Sequence, residues 1–339
     1  VSLEVVLRQA SEHQTAVRAL TRDTRQKQAA VHTAQGDSGR EKKRYAQALQ
    51  AYQQAVQFEE ALQGDASAAR LVKNYCWIGE MYANGCGAAQ DHRAAAVWYQ
   101  KAAEQGNARA QCSLAWMHYK GQGVEQDHQQ AFEWLEKAAQ QRYSLAQVRL
   151  GLLYMKGHGT PKDTAKAEEC YKQAFNQALA DASQKDAEAQ YTLGWMHEYG
   201  LGKVQQDSKQ AIEYYQNAAQ HGHIAAQKAW HKLQLAQLAQ LLQQAAADKD
   251  DAARAATRRA LQELVSAAPT AEIRDALLKA AEDKNWQVRE AAASALVELV
   301  KAAPQLASDA MRNALLKAMG DSRDNIVSNA RAAAASALG

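Results

Sequence analysis

The sequence predicts an all-α protein, a right-handed α-solenoid of stacked helix-turn-helix repeats. Three observations lead there. Pro and Phe number only 3 each in 339 residues while Ala and Gln are abundant, and few prolines with many good helix formers favour long helices. One short stretch recurs four times in the middle of the chain, and the C-terminal third has a second period of 35 residues. Fixed periods of this size are the mark of repeat architectures. No segment alternates apolar and polar residues as a half-buried strand would.

Taken in order, residues 1–66 read as an N-terminal helical hairpin that caps the array. Helices are expected over 2–34 and 41–63, with "GDSG" (36–39) as the turn. The segment "YAQALQAYQQAVQFEEAL" (45–62) carries a Tyr/Ala/Leu stripe at helical spacing.

Residues 67–234 hold the four copies: "MYANGCGAAQD" (81–91), "MHYKGQGVEQD" (117–127), "LYMKGHGTPKD" (153–163) and "MHEYGLGKVQQD" (196–207). The first three start 36 residues apart and the fourth 43 later, because "QALADASQKDA" (177–187) lengthens the hairpin before it. Apolar segments at helical period flank each stretch, so the unit is helix, corner, helix. Gly85, Gly121, Gly157 and Gly200 fall where a left-handed cap is needed and a Cβ is costly. Asp91, Asp127, Asp163 and Asp207 fall where a carboxylate accepts from the free N–H groups of the next helix. Gly79, Ala115, Gly151 and Gly194 recur inside the first helices and allow close approach of the partner helix.

In residues 235–339, "DKDDAARAATRRALQELVSAAP" (248–269) is echoed by "DKNWQVREAAASALVELVKAAP" (283–304). A third unit opens at "DSRDNIVSNARAAAASAL" (321–338) and stops at Gly339. Together with Val1 at the start, this raises the expectation of a larger parent chain. An engineered fusion of two repeat types is a further possibility, against which stands the Gln-rich composition on both sides of residue 235.

Two resemblances follow. Ala110-Gln111-x-x-Leu114, Gly121-x-Gly123-Val124, Asp127 and Ala131-x-x-Trp134-x-x-Lys137-Ala138-Ala139 resemble the Sel-one-like repeat, a relative of the tetratricopeptide repeat. The other copies match likewise, for instance through Ala189-Gln190-x-x-Leu193-Gly194. The resemblance spans about 69–233, and the third copy departs most, with Cys170 in place of Trp and Pro161 in the loop. The C-terminal Asp…Val-Arg…Ala-Leu pattern resembles HEAT repeats, where Arg254 and Arg289 would bond loop acids between neighbouring repeats. Trp286 is either an exposed anchor or a cap on the inter-repeat core.

Catalytic and ligand chemistry finds little support. Net charge is +3 over 77 ionised side chains, which gives no charge argument for nucleic acid. The run Arg40-Glu41-Lys42-Lys43-Arg44 reads as a solvated helix start. No apolar run approaches the roughly 18–20 residues a membrane helix needs. Cys76, Cys86, Cys112 and Cys170 lack Cys-x-x-Cys spacing and are read as reduced, with a cytoplasmic location. The Gly-x-Gly corners have no preceding strand and no Gly-Lys-Ser/Thr, so no nucleotide cofactor is expected. No histidine pair has metal-ligand company. His118 and His197 share a position with Tyr82 and Tyr154, which suggests aromatic packing, and His92 and His128 read as exposed first-turn residues. The chain is therefore not expected to be an enzyme.

What the resemblance implies instead is a concave face, lined by first helices, that binds a protein or peptide. The face would carry Glu80 and Asn84, then Trp116, Tyr119 and Lys120, then Met155 and Lys156, then Trp195, Glu198 and Tyr199. Cys76, Arg109, Cys112, Val148, Leu152, Glu188 and Tyr191 share it. Trp116, Leu152 and Trp195 also suit packing against the next repeat. Tyr119, Lys120, Lys156, Glu198 and Tyr199 lie a turn further along and are more polar. The function expected is a non-catalytic scaffold, in one version the recognition arm of a larger bacterial signalling protein. A secreted bacterial effector or adaptor is the alternative, and an enzyme with an unrecognised active site the second.

Overall fold

A computed structural model describes residues 24–40, 44–60, 65–183, 186–248, 250–267, 269–311 and 313–315. Every regular element among them is helical. The chain divides into two compact units, Val1–Lys228 and Ala229–Gly339.

The first unit opens with α1, helical over the described residues 24–40, followed by α2 (Tyr45–Glu60). The turn expected at 36–39 is not one, because the helix runs through all four residues. Its glycines serve packing instead. A Cβ on Gly36 would lie 2.5 Å from the Tyr52 ring, and one on Gly39 would lie 3.1 Å from Ala48. Each glycine costs its helix roughly 1 kcal/mol, offset here by a close α1–α2 contact that buries Tyr52 completely. The Tyr52 hydroxyl also donates to Asp37 at 2.6 Å. The earlier part of the helix expected over 2–34 lies outside the described residues.

Four helix pairs follow. They are α3 (Asp65–Asn84) with α4 (His92–Glu104), α5 (Ala108–Lys120) with α6 (His128–Gln140), α7 (Ser144–Lys156) with α8 (Thr164–Ala182), and α9 (Ala187–Tyr199) with α10 (Ser208–Gln220). Within a pair the two helices pack together, and each second helix packs on the first helix of the next pair, the arrangement of a solenoid. The extra residues before the fourth copy lengthen α8 to 19 residues, against 13 in the other second helices.

The corners are built as their residues dictate. Gly121, Gly157 and Gly200 cap α5, α7 and α9 in the left-handed region, with φ of 67°, 72° and 60°. Asp91, Asp127, Asp163 and Asp207 each accept from backbone N–H groups in the first turn of the following helix. The small residue in each first helix is matched to its partner. A Cβ on Gly79, Gly151 or Gly194 would fall within 3 Å of the Tyr99, Tyr171 or Tyr215 ring respectively. In the second repeat the small residue is Ala115, and the position of those tyrosines is Leu135, in the same buried cluster.

The fourth corner differs. A Cβ on Gly87, Gly123 or Gly159 would collide with the carbonyl oxygen of Tyr45, His92 or His128, the first residue of α2, α4 or α6. Gly202 instead lies over the Cβ of Tyr171, two turns along α8. A cavity of about 570 Å³, floored by Tyr171, Phe175 and Met196, lies beside it.

The second unit comprises most of α11 (Ile224–Ala247), then α12 (Asp251–Ala267), α13 (Ala271–Ala280) and α14 (Trp286–Ala302). Its core gathers Leu238, Leu261, Val265, Ile273, Leu277, Leu296 and Leu299. A polar ladder climbs α12 and α14 in steps of one turn: Arg258 to Glu290, Gln262 to Ser294, Ser266 to Glu298. Arg254 and Arg289 donate to the backbone carbonyls of Asp248 and Asp283, in the loops before their own helices. Trp286 is 56% exposed. The unit expected at 321–338 lies outside the described residues.

Candidate partner-binding face

The ten candidate residues all lie on the first helices α3, α5, α7 and α9. An open groove was expected between them, but along most of its length the structure closes it into a seam. The reason is steric and electrostatic: α5 and α9, two repeats apart, meet side chain to side chain. Arg109 reaches Glu80 at 2.8 Å on one side and Glu188 at 3.3 Å on the other. Trp116 meets Trp195 edge to face with centroids 6.2 Å apart. Ser144 of α7 donates to Thr192 of α9 at 3.3 Å.

The start and end of the repeat array also meet. The Arg40 guanidinium stacks 3.6 Å from the Trp77 ring centroid and donates to the Gly222 carbonyl at 3.2 Å. Arg109 stacks near the same ring, at 4.3 Å. Lys228 donates to the Asn84 carbonyl at 2.8 Å.

Charge at this closed end is balanced internally. Burial alone would raise the Glu188 carboxyl, but Arg109, His223 and the Tyr143 hydroxyl outweigh it and hold the group well below the usual carboxylate range. His223 Nδ1 accepts the Ala226 N–H, which leaves Nε2 to donate to Glu188 at 3.2 Å. Burial pushes the Cys76 thiol up to about 12 and the Cys112 thiol to about 11, which leaves both as packing groups rather than nucleophiles.

Glu80 is 4% exposed and tied to Arg109; Asn84 is half-buried, its amide returned to the Glu80 carbonyl. Tyr119 is 7% exposed and stacks on Trp116 at 4.8 Å. Trp116, Met155 and Trp195 are half-buried. Glu198 is half-buried and accepts from the Tyr215 hydroxyl at 2.7 Å. Lys120, Lys156 and Tyr199 are exposed, Tyr199 by 51%. These three are the last residues of α5, α7 and α9, so one side chain per repeat stands at the same end of the seam.

Two histidines join this end that the spacing did not mark. His128, expected as an exposed first-turn residue, is half-buried and stacks on His158 with centroids 4.5 Å apart. Both rings flank Tyr119, at 5.2 and 5.7 Å. Burial lowers the His158 pKa, and His128 and Lys156 lower it further. Residue 158 follows residue 128 by 30 positions, short of the 36-residue period, so no spacing in the sequence pairs them. His197 does pack on an aromatic ring as expected, stacking on Tyr214 at 5.5 Å. Among the described residues no group of three or more His, Cys, Asp or Glu could hold a metal ion. Nor is any helix among them long and apolar enough to cross a membrane.

Short-corner helix pairs in register, each capped by Gly and Asp, define an α-solenoid of the Sel1 type. Residues 75–107, 108–143, 144–179 and 187–223 match the Sel1 repeat, and residues 273–303 match the HEAT repeat. The chain thus carries four Sel1 repeats followed by a HEAT repeat. Sel1-repeat proteins are generally protein-interaction scaffolds. No curated protein matches the chain.

Among solved structures, a Sel1 repeat protein from Oxalobacter formigenes is 25% identical, the match covering 60% of this chain and 88% of that one, with a TM-score of 0.35. A protective antigen of uropathogenic Escherichia coli displaying an SLR fold is 19% identical over 86% and 82% of the two chains, with a TM-score of 0.28. A Sel1 repeat protein from Klebsiella pneumoniae is 21% identical over 60% and 98%, with a TM-score of 0.32.

Proposed function

We propose that the protein is a non-catalytic scaffold that binds a partner protein or peptide where α5, α7 and α9 end. The observation that carries this reading is the exposed Tyr199 set against the half-buried Trp195, at 5.8 Å between centroids, with Trp116 behind it. Bulk that only filled the seam would be buried, as Tyr119 is. A half-open aromatic row is the kind of surface on which anchoring contacts concentrate. Lys120 and Lys156 have a structural role available, since a cation complements the C-terminal end of a helix. The equivalent positions hold Asn84 and Tyr199, however, so the fold does not demand a cation there. In this reading Tyr119 supports the face from behind, Lys120, Lys156, Trp195 and Tyr199 meet the partner, and Glu80 is left to the closed end with Arg109.

The test is site-specific photo-crosslinking in a lysate, with benzoylphenylalanine at position 199 and, as control, at the exposed Val97 on α4. A discrete adduct from 199 that is absent from 97 is expected. Adducts of equal pattern and yield from both positions would overturn the reading.

A further inference from the structure

We infer that the segment recognised at this end of the seam is an acidic peptide, one that presents Asp or Glu side chains beside an apolar or aromatic residue. The inference rests on the reading above and names its partner by chemistry.

Two ammonium groups from neighbouring repeats gather around one ring. Lys120 Nζ lies 5.4 Å from the Tyr119 centroid and 5.2 Å from that of Trp116. Lys156 Nζ lies 5.9 Å from the same Tyr119 centroid and 3.3 Å from its hydroxyl oxygen. Among the described residues neither lysine is paired with a carboxylate. Glu198, the acid next to Tyr199, already accepts from Tyr215. The Tyr119 and Trp116 rings offset part of the Lys120 charge, while Lys156 lies beyond the ring edge and donates to the Tyr119 hydroxyl oxygen.

The two ends of the seam differ in this respect. At the closed end every cation has a partner of the chain's own: Arg109 has Glu80 and Glu188, and Arg40 has the Trp77 ring and the Gly222 carbonyl. At the open end the cations have only rings and a hydroxyl. A carboxylate reaching either Lys120 or Lys156 would gain a charge-assisted hydrogen bond, and a peptide with more than one acidic side chain can engage both. The compact, rotatable lysine ammonium accepts a carboxylate without the fixed geometry an arginine imposes. An apolar neighbour in the same peptide would then lie against Trp195 and Tyr199.

A nucleic acid fits poorly. Such binding is dominated by neutralising a run of phosphates with Lys and Arg, and this patch offers two lysines on a chain with 40 basic and 37 acidic residues.

The test pans a random twelve-residue phage library against the full chain. In parallel it pans against Lys120→Glu/Lys156→Glu and against Trp195→Ala/Tyr199→Ala, each shown by circular dichroism to melt like the parent. The expected result is enrichment of Asp or Glu next to aromatic or aliphatic residues. A synthetic peptide from that pool should lose on the order of tenfold in affinity with the charge-reversed chain. The charge-reversed chain should itself select basic peptides. Binders without acidic enrichment that still depend on Trp195 and Tyr199 would overturn this inference and leave the reading of the face standing. An absence of binders, or binders indifferent to all four positions, would overturn both.

Discussion

Replacing Gly151 with alanine tests the rule that sets the spacing of each helix pair. A Cβ at this position would lie 2.7 Å from Cε1 and 3.0 Å from Cδ1 of Tyr171, and 3.1 Å from the Ala167 carbonyl oxygen. The Tyr171 ring is 2% exposed, packed with Val148, Ala167 and Met196 and bordered by the cavity. Helix propensity favours alanine over glycine by about 1 kcal/mol, while overpacking a filled core costs about 1–3 kcal/mol. Because one obstacle is a backbone oxygen and moving the ring gives up its packing, the second effect wins, and Gly151→Ala should lose about 1–2 kcal/mol. Tyr171→Leu removes the ring and gives the third repeat the pairing of the second, where Ala115 and Leu135 are both fully buried. On that background Gly151→Ala should cost nothing or stabilise, a coupling of about 1–3 kcal/mol. Urea melts of the parent, both single variants and the double variant, followed by circular dichroism, measure it. Additive losses, or a stabilising Gly151→Ala in the parent, would refute the matched-pair reasoning.

Two further outcomes are expected. Gly106 has φ +84° and nothing within 4 Å of a Cβ, so Gly106→Ala should cost only the left-handed strain of about 1–2 kcal/mol. Gly123→Ala adds a collision with the His92 carbonyl and should cost at least twice as much, read by thermal melts of the two variants. Glu188, although buried, is held well below the ordinary carboxylate range, chiefly by Arg109. A depressed folded-state pKa contributes stability that is fully present above the unfolded value, near ~4.3, and is lost as pH falls toward the folded value. Glu188→Gln should therefore lower the melting temperature at pH 7, with the gap to the parent shrinking steadily between pH 5 and pH 2. A gap independent of pH would show that the Glu188 charge is not what the seam relies on.

Much of the array was legible because its determinants are local. The capping glycines and aspartates act within a turn of themselves, and four copies in register leave one consistent reading. The matched small residue was half legible: Gly79, Gly151 and Gly194 stood out, but their tyrosine partners become meaningful only once the second helix is in place. "GDSG" misled because glycine signals a turn and a close helix contact with the same letter. The ring that decides the case, Tyr52, sits on the next helix.

Closure of the inner face was not legible at all. It depends on how steeply successive repeats rotate, which brings Arg109 to Glu188 across 79 positions of sequence and Arg40 to Gly222 across 182. No spacing rule carries that angle. The stack of His128 on His158 has the same origin, being a contact between corners of adjacent repeats. Of the expected partner-binding residues, Lys120, Lys156 and Tyr199 at the ends of α5, α7 and α9 stayed at the surface. Those in mid-helix, such as Glu80, were drawn into the seam.

The most direct test of the central claim is hydrogen–deuterium exchange of the full chain with and without the tightest peptide recovered by panning. Protection is predicted in residues 116–121, 152–157 and 195–200, with the backbone of α4 and α6 unchanged. Protection confined to the outer helices, or to the second unit, would contradict the assignment of the ends of α5, α7 and α9 as the recognition face.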